Sequence, residues 1–334
     1  MLKLVLGIIL LAAKPSFAAE NTVSQALDQH VLPAFDTLAR QATTLHDVAT
    51  MYCAPDAPEL RAAYAQAFDA WVLASHLRIG PSEEEDRAFA IAFWPDTKGF
   101  TAKGLNALLR DLDPAIYDPA EFKTLSIAVR GLYALEFLLF DPAFQTQATA
   151  DYRCDLVQAL TQEIRRNATA INWGWQSYQS VLRNPAESSI YQTEEDSLRE
   201  IFKALHAGLQ FTSEARLGRP LGSFERPRPN RAEARRSKRS LRHVTLSLEA
   251  TYDLALLLSG GEPQIAKSLQ AAFERSLELS IDLNDPEFAG VADPAGRFRV
   301  DVLRQSVDRI REIVTYELAP ALGVSAGFNS LDGD

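Results

Sequence analysis

Apolar residues recur at helical spacing along almost the whole chain. Over residues 20–51 they fall at Val23, Leu27, Val31, Phe35, Leu38, Leu45 and Val48, one stripe of an amphipathic helix. Pro33 inside that run predicts a kink or the start of a second segment, because proline lacks the amide proton and crowds the preceding turn. A second helix is predicted over residues 59–78, with Tyr64, Phe68, Trp71, Leu73 and Leu77 inward and Gly80-Pro81-Ser82 ending it. The next spans 98–112, capped by Asp96 or Thr97. Further helices are predicted over 119–141, 151–182, 191–216, 243–258, 264–283 and 298–318. No run alternates apolar and polar residues at the strand period, so the fold class is all-α. The helices fall into two sets of about four, split near residues 180–190.

The stretch 130–141 stands apart. Its apolar residues cover nearly every side of the cylinder, which predicts a helix buried on most faces. One ionisable group, Glu136, sits inside it. A carboxyl in such a place must be paired or stay protonated. Tyr133 lies one turn earlier on the same face and Arg130 one turn before that. The prediction is a phenol, a carboxyl and a guanidinium along one buried edge.

The net charge is −10, which argues against nucleic acid and against anionic membrane surfaces as partners. The first 19 residues read as an export signal: Lys3, a short apolar run from Leu4 to Ala13, and Ser16-Phe17-Ala18 before a cut after Ala18 or Ala19. That run is too short to span a bilayer as a helix, and no other long apolar run follows. The expected location is the periplasm. In an oxidising compartment Cys53 and Cys154 are expected to form a disulfide. Residues 83–86 are acidic and read as a solvated helix start. Residues 218–230 are rich in Pro and Gly and read as an ordered connection. Residues 231–242 are strongly basic, with Ser237 and Ser240 expected one helical turn apart. They form a solvated face with local salt bridges, an anion-facing surface, or the partner of buried acids such as Glu136. Trp173, Trp175 and Tyr178 at helical spacing read as core, with a sugar platform as the alternative.

Gly131, Tyr133 and Glu136 carry a resemblance to the imelysin-like family of bacterial envelope proteins, whose signature is Gly-x-His-x-x-Glu; Tyr133 stands where that signature has histidine. Arg78, Gly80-Pro81 and Phe93-Trp94-Pro95-Asp96 also resemble the family's N-terminal half. The resemblance implies two helical bundles side by side, residues 20–185 and 186–322, followed by a flexible tail over 323–334, with functional groups facing the seam. It also implies metal-dependent peptidase activity or an association with iron uptake. Four functions compete. A metallopeptidase needs about three protein ligands on zinc, whereas the five histidines are scattered and the signature position holds a phenol. A non-catalytic periplasmic binding protein would use Tyr133 and Glu136 with Arg130, Arg78, Ser237 and Ser240. Its ligand would be either an anion held by arginines or a cation on Glu136, iron or another divalent ion, shared with other iron-uptake proteins of the envelope. A structural role would make the same polar groups a network that fixes helix register. An acidic-polysaccharide binder would use the tryptophans and the basic segment.

Overall fold

The computed structural model describes residues 17–324, with side chains from residue 21. The export segment expected over 1–19 and the tail expected over 323–334 lie almost wholly outside them. The described elements are helical, with no strand among them. In chain order the α-helices are α1 (Phe17–Ala26), α2 (Leu32–Met51), α3 (Pro58–Ala74), α4 (Arg87–Ile91), α5 (Phe100–Asp111), α6 (Pro119–Phe122), α7 (Gly131–Phe140), α8 (Pro142–Gln145), α9 (Ala150–Arg183), α10 (Glu194–Phe211), α11 (Gly218–Leu221), α12 (Ser240–Leu258), α13 (Pro263–Leu283), α14 (Pro294–Ile313) and α15 (Ala319–Leu322). None of them is long and apolar enough to cross a membrane.

Helices α2, α3, α7 and α9 pack together as one bundle, and α10, α12, α13 and α14 as the other. The bundles meet where α3 lies on α12, while α1 crosses from the first set to rest on α10 and α12. Phe35 on α2 stacks on Trp175 of α9, ring centroids 5.6 Å apart, and both are fully buried. Burying each such side chain stabilises the fold by about 1.5–3 kcal/mol. Trp173 points the other way and is 77% exposed, so the two tryptophans do not share a surface. Cys53, after α2, is bonded to Cys154 on α9. The bridge closes a loop of 101 residues, which removes roughly 4–5 kcal/mol of freedom from the unfolded chain.

Pro33 is the second residue of α2, which starts a new segment after a π-helical turn, Leu27–Val31, that follows α1. Two expectations fail for tertiary reasons. The helix predicted over 119–141 is broken: α6 stops at Phe122, a 3-10 turn spans Ile127–Val129, and Arg130 is extended. Gly131 then starts α7 at φ +77°, with its Cα against the carbonyls of Ala90 and Ile91. A Cβ there would sit 2.3 Å from the Ile91 oxygen and 2.4 Å from the Ala90 oxygen. The basic segment is not helical before Ser240. It is a series of turns in which Ala234 and Lys238 adopt left-handed backbone (φ +46° and +56°), so Ser237 and Ser240 are not neighbours on a helix. The acidic residues Glu83–Asp86 are exposed, as expected, just before α4.

Replacing Gly131 with alanine combines left-handed strain with overlap on two carbonyls. We expect Gly131→Ala to lower unfolding free energy by at least about 2 kcal/mol, measured by urea titration with circular dichroism; a neutral result would contradict the packing described.

Candidate functional site

Helix α7 carries Tyr133 and Glu136 on one edge, and both are buried. Their partners come from the segment between α11 and α12. The Tyr133 hydroxyl donates to Glu233 Oε1 at 2.5 Å. Glu233 Oε2 accepts from Arg216 Nε at 2.8 Å and lies 3.3 Å from His243 Nδ1. Arg216 sits in a π-helical turn, Thr212–Leu217, and also donates to Ser247 Oγ (3.1 Å) and to Ser75 Oγ (3.4 Å). Its guanidinium lies over the Phe211 ring, 4.8 Å from the centroid. Ser240 donates to the Glu233 carbonyl at 2.5 Å and so fixes the backbone that presents the carboxylate. Glu233, Arg216 and His243 are each at most 3% exposed, so this is an ion pair removed from water.

Glu136 is held separately. Its Oε1 accepts from the Ser237 amide (2.9 Å) and hydroxyl (2.7 Å), while Oε2 has no hydrogen-bond partner among the described residues. Arg236 lies close by, bound to Asp141 at 2.8 Å and resting on the Phe137 ring at 3.5 Å.

The titration behaviour follows from these surroundings. Burial raises the Glu136 carboxyl more than Ser237, Arg236 and Arg235 lower it. Burial also favours the neutral form of Glu233, but Arg216, with help from His243 and Tyr133, overcomes it and holds the carboxyl at about 2. Burial and the adjacent Glu233 push the Tyr133 phenol well above its ordinary value, so it keeps its proton. Burial lowers His243 despite the carboxylate beside it, leaving a neutral imidazole.

In front of Tyr133 and Glu136 lies a cavity of about 230 Å³. Trp94, Asp96, Thr101, Arg219, Asn230, Arg231 and Arg236 complete its polar lining. The Trp94 ring stacks on Tyr133 with centroids 6.3 Å apart. Asp96 accepts from the amides of Lys98, Phe100 and Thr101 and so anchors the start of α5, as its position in the sequence predicts.

The structure therefore brings Tyr133, Glu136 and Ser237 together and places Ser240 behind them. It does not bring Arg130 or Arg78 to the cavity. Arg130 precedes α7 in extended backbone and turns to Glu163 (3.2 Å) and the Lys123 carbonyl (2.8 Å). Arg78 pairs with Glu83 and lies over Phe89. Arg130 was expected along the Glu136 edge and Arg78 as a balancing charge at the site; the break at Gly131 and the turn after α3 direct them elsewhere. Sequence reasoning missed Glu233, Arg216 and His243. Only Glu233 had a legible signal, as the sole acid within the basic run 231–242.

Removing one partner of a buried ion pair leaves the other charge uncompensated. Glu233→Gln should cost about 3–5 kcal/mol. The pH dependence has a defined sign. The Glu233 carboxyl is lowered from 4.5 to about 2 on folding, so its contribution is complete above about pH 4.5 and is lost as pH falls toward 2. Urea unfolding from pH 2 to 6 should show this loss in the wild type and a shallower slope in Glu233→Gln; equal slopes would mean the pair is not what stabilises the seam.

The family model for imelysin, Peptidase_M75, matches residues 31–314. An imelysin-like protein from Psychrobacter arcticum 273-4 has the same fold, with a TM-score of 0.78 at 20% identity over 96% of this chain and 100% of that one. A protein from Parabacteroides distasonis ATCC 8503, named as an iron-regulated protein A precursor, superposes with a TM-score of 0.74 at 12% identity over 91% of this chain and 96% of that one. No curated protein matches the sequence. The family match spans both helical bundles and the segment that joins them, and on that extent this chain belongs to the imelysin family.

Proposed function

We propose that the protein is an exported, periplasmic, non-catalytic member of its family that holds a small ligand in the cavity on Tyr133 and Glu136, at the seam of the two bundles. One observation carries the reading. The floor of the cavity is fixed from behind, by Glu233 on the phenol and by Ser237 on one carboxyl oxygen, while the other carboxyl oxygen has no hydrogen-bond partner among the described residues. A polar group held in place and left unsatisfied is what a ligand site requires.

A peptidase centre is not supported by the donor set. Hydrolytic zinc needs about three protein ligands and a bound water. Tyr133 occupies the position where the resemblance places a histidine, and its proton is committed to Glu233. The histidines are engaged elsewhere: His30 with His76 at 2.8 Å, His46 with Thr161, His206 on Phe202, and His243 behind Tyr133 beside Glu233. Among the described residues no group of three His, Cys, Asp or Glu side chains is arranged to hold a metal ion. A bare cation on Glu136 fits poorly for the same reason, since Arg235 and Arg236 already surround that carboxyl with positive charge. An iron association belongs to the Parabacteroides protein by its name.

The mature protein should gain thermal stability from a compound that binds only its folded state, by about 2.7 kcal/mol at a hundredfold excess over Kd. We expect melting-temperature screening with small anions, neutral solutes and metal ions to find such a compound. The gain should vanish in Ala102→Phe, which fills the cavity from α5. A panel without any shift, or a shift unchanged by the filling substitution, would refute the site. Unfolded substrate incubated with the protein and zinc should stay intact, and cleavage stopped by a chelator would refute the non-catalytic reading.

A further inference from the structure

The ionisable groups of the cavity are not balanced. Asp96 has its charge taken up by three amides at the start of α5. Arg236 is paired with Asp141. Arg219 and Arg231 have no carboxylate within ion-pair distance among the described residues, and the buried Nε of Arg219 has no hydrogen-bond partner. Burial and the neighbouring Arg231 both hold the Arg219 guanidinium below its usual range. Two like charges thus lie near each other without a carboxylate partner, Arg219 half-buried and Arg231 exposed. Some other arginines of this protein do hold carboxylates: Arg87 has Glu84 and Glu85, and Arg199 has Glu195 and Asp196.

The fold builds this arrangement. Arg219 lies on α11 directly before Pro220, and Arg231 ends a 3-10 turn that begins at Pro229. The Arg228 amide donates to the Pro220 carbonyl at 2.8 Å and closes the loop that carries both. Gly222 makes the closure possible, with φ +58° and no room for a Cβ beside the Arg226 carbonyl. The Arg219 guanidinium also lies over Trp94, 5.6 Å from the ring centroid. Backbone and aromatic contacts therefore orient these cations, without an anion of the protein's own.

We propose that the ligand of this cavity is a small organic carboxylate, its charged end forked by Arg219 and Arg231 and its carbon body laid against Trp94. The proposal rests on the cavity being a ligand site and names its ligand class. Guanidinium groups match a carboxylate in two parallel hydrogen bonds. Phe93, Trp94 and Phe137 give the remaining wall an aromatic character that suits a carbon skeleton better than inorganic phosphate. A volume of about 230 Å³ lies below that of pockets for drug-sized molecules, so the ligand is a small acid. The unpartnered Glu136 oxygen stands ready for a hydroxyl or a second, protonated carboxyl.

The test is isothermal titration of the mature protein with acetate, succinate, citrate and benzoate, alongside inorganic phosphate, glucose and magnesium. We expect one carboxylate to saturate a single site. Its affinity should fall at least tenfold in Arg219→Gln and in Arg231→Gln, fall less in Arg219→Lys, and stay unchanged in Arg275→Gln on the exposed face of α13. Circular dichroism and melting temperature establish that each variant is folded. Phosphate binding as tightly as every carboxylate would overturn the assignment, as would carboxylate binding indifferent to both arginines. If glucose or magnesium binds instead, and Ala102→Phe abolishes it, the cavity stands as a site and the carboxylate assignment falls. If none of these probes binds and the melting-temperature screen is also flat, both fall together.

Discussion

The structure depends on one buried charge pair, Glu233 with Arg216. Taking either ion out of water costs several kcal/mol, and mutual attraction offsets that cost only when every remaining hydrogen bond is placed. Here the remaining bonds come from both bundles. Tyr133 on α7 and Ser75 after α3 belong to the first, while Ser247 on α12 and the Arg216 turn belong to the second. A shift of either bundle along the seam would strand a buried charge. The ion pair therefore sets the register in which the apolar surfaces meet, which apolar contacts alone specify poorly.

That constraint accounts for the local irregularities. The π-turn at Thr212–Leu217 is a departure from α-helix that carries Arg216 under Glu233. The turns between residues 231 and 239 include two left-handed non-glycine residues, each an energetic cost. The cost is offset by Ser237 on Glu136 and Ser240 on the Glu233 carbonyl. A neutral phenol at position 133 suits the same purpose. It supplies a proton to Glu233 without adding a charge and presents its ring to Trp94.

Most of the fold was legible because long amphipathic stripes need no tertiary information. Helices α2, α3, α9, α10, α12, α13 and α14 each bury one face, and each was predicted within a few residues at most ends. The errors share a cause. Gly131 interrupts an apolar run because two carbonyls from α4 approach it, and nothing in residues 119–141 encodes that approach. Residues 231–239 contain good helix formers, yet the Glu136 carboxyl and the Tyr133 hydroxyl, far away in sequence, hold them as turns. Glu136 could be read as buried because an acid in an apolar run has few alternatives. Arg216 and His243 could not, since an arginine at a helix end and a lone histidine are ordinary on a surface. Arg219 fell in the Pro-rich connection and Arg231 at the start of the basic run, and the loop closure that brings them together is visible only in three dimensions.

The two halves of the site obey opposite rules. Behind Tyr133 each charge meets its counterpart, and Glu233 stays ionised because Arg216 is there. In front of it, one carboxyl is pushed toward the neutral form by burial, and Arg219 and Arg231 have no carboxylate partner among the described residues. The loop that presents these two arginines is shaped by the hydrogen bond from the Arg228 amide to the Pro220 carbonyl and by the left-handed Gly222. The satisfied network behind Tyr133 is the scaffold, and the groups in front of it are those on which the proposed ligand site rests.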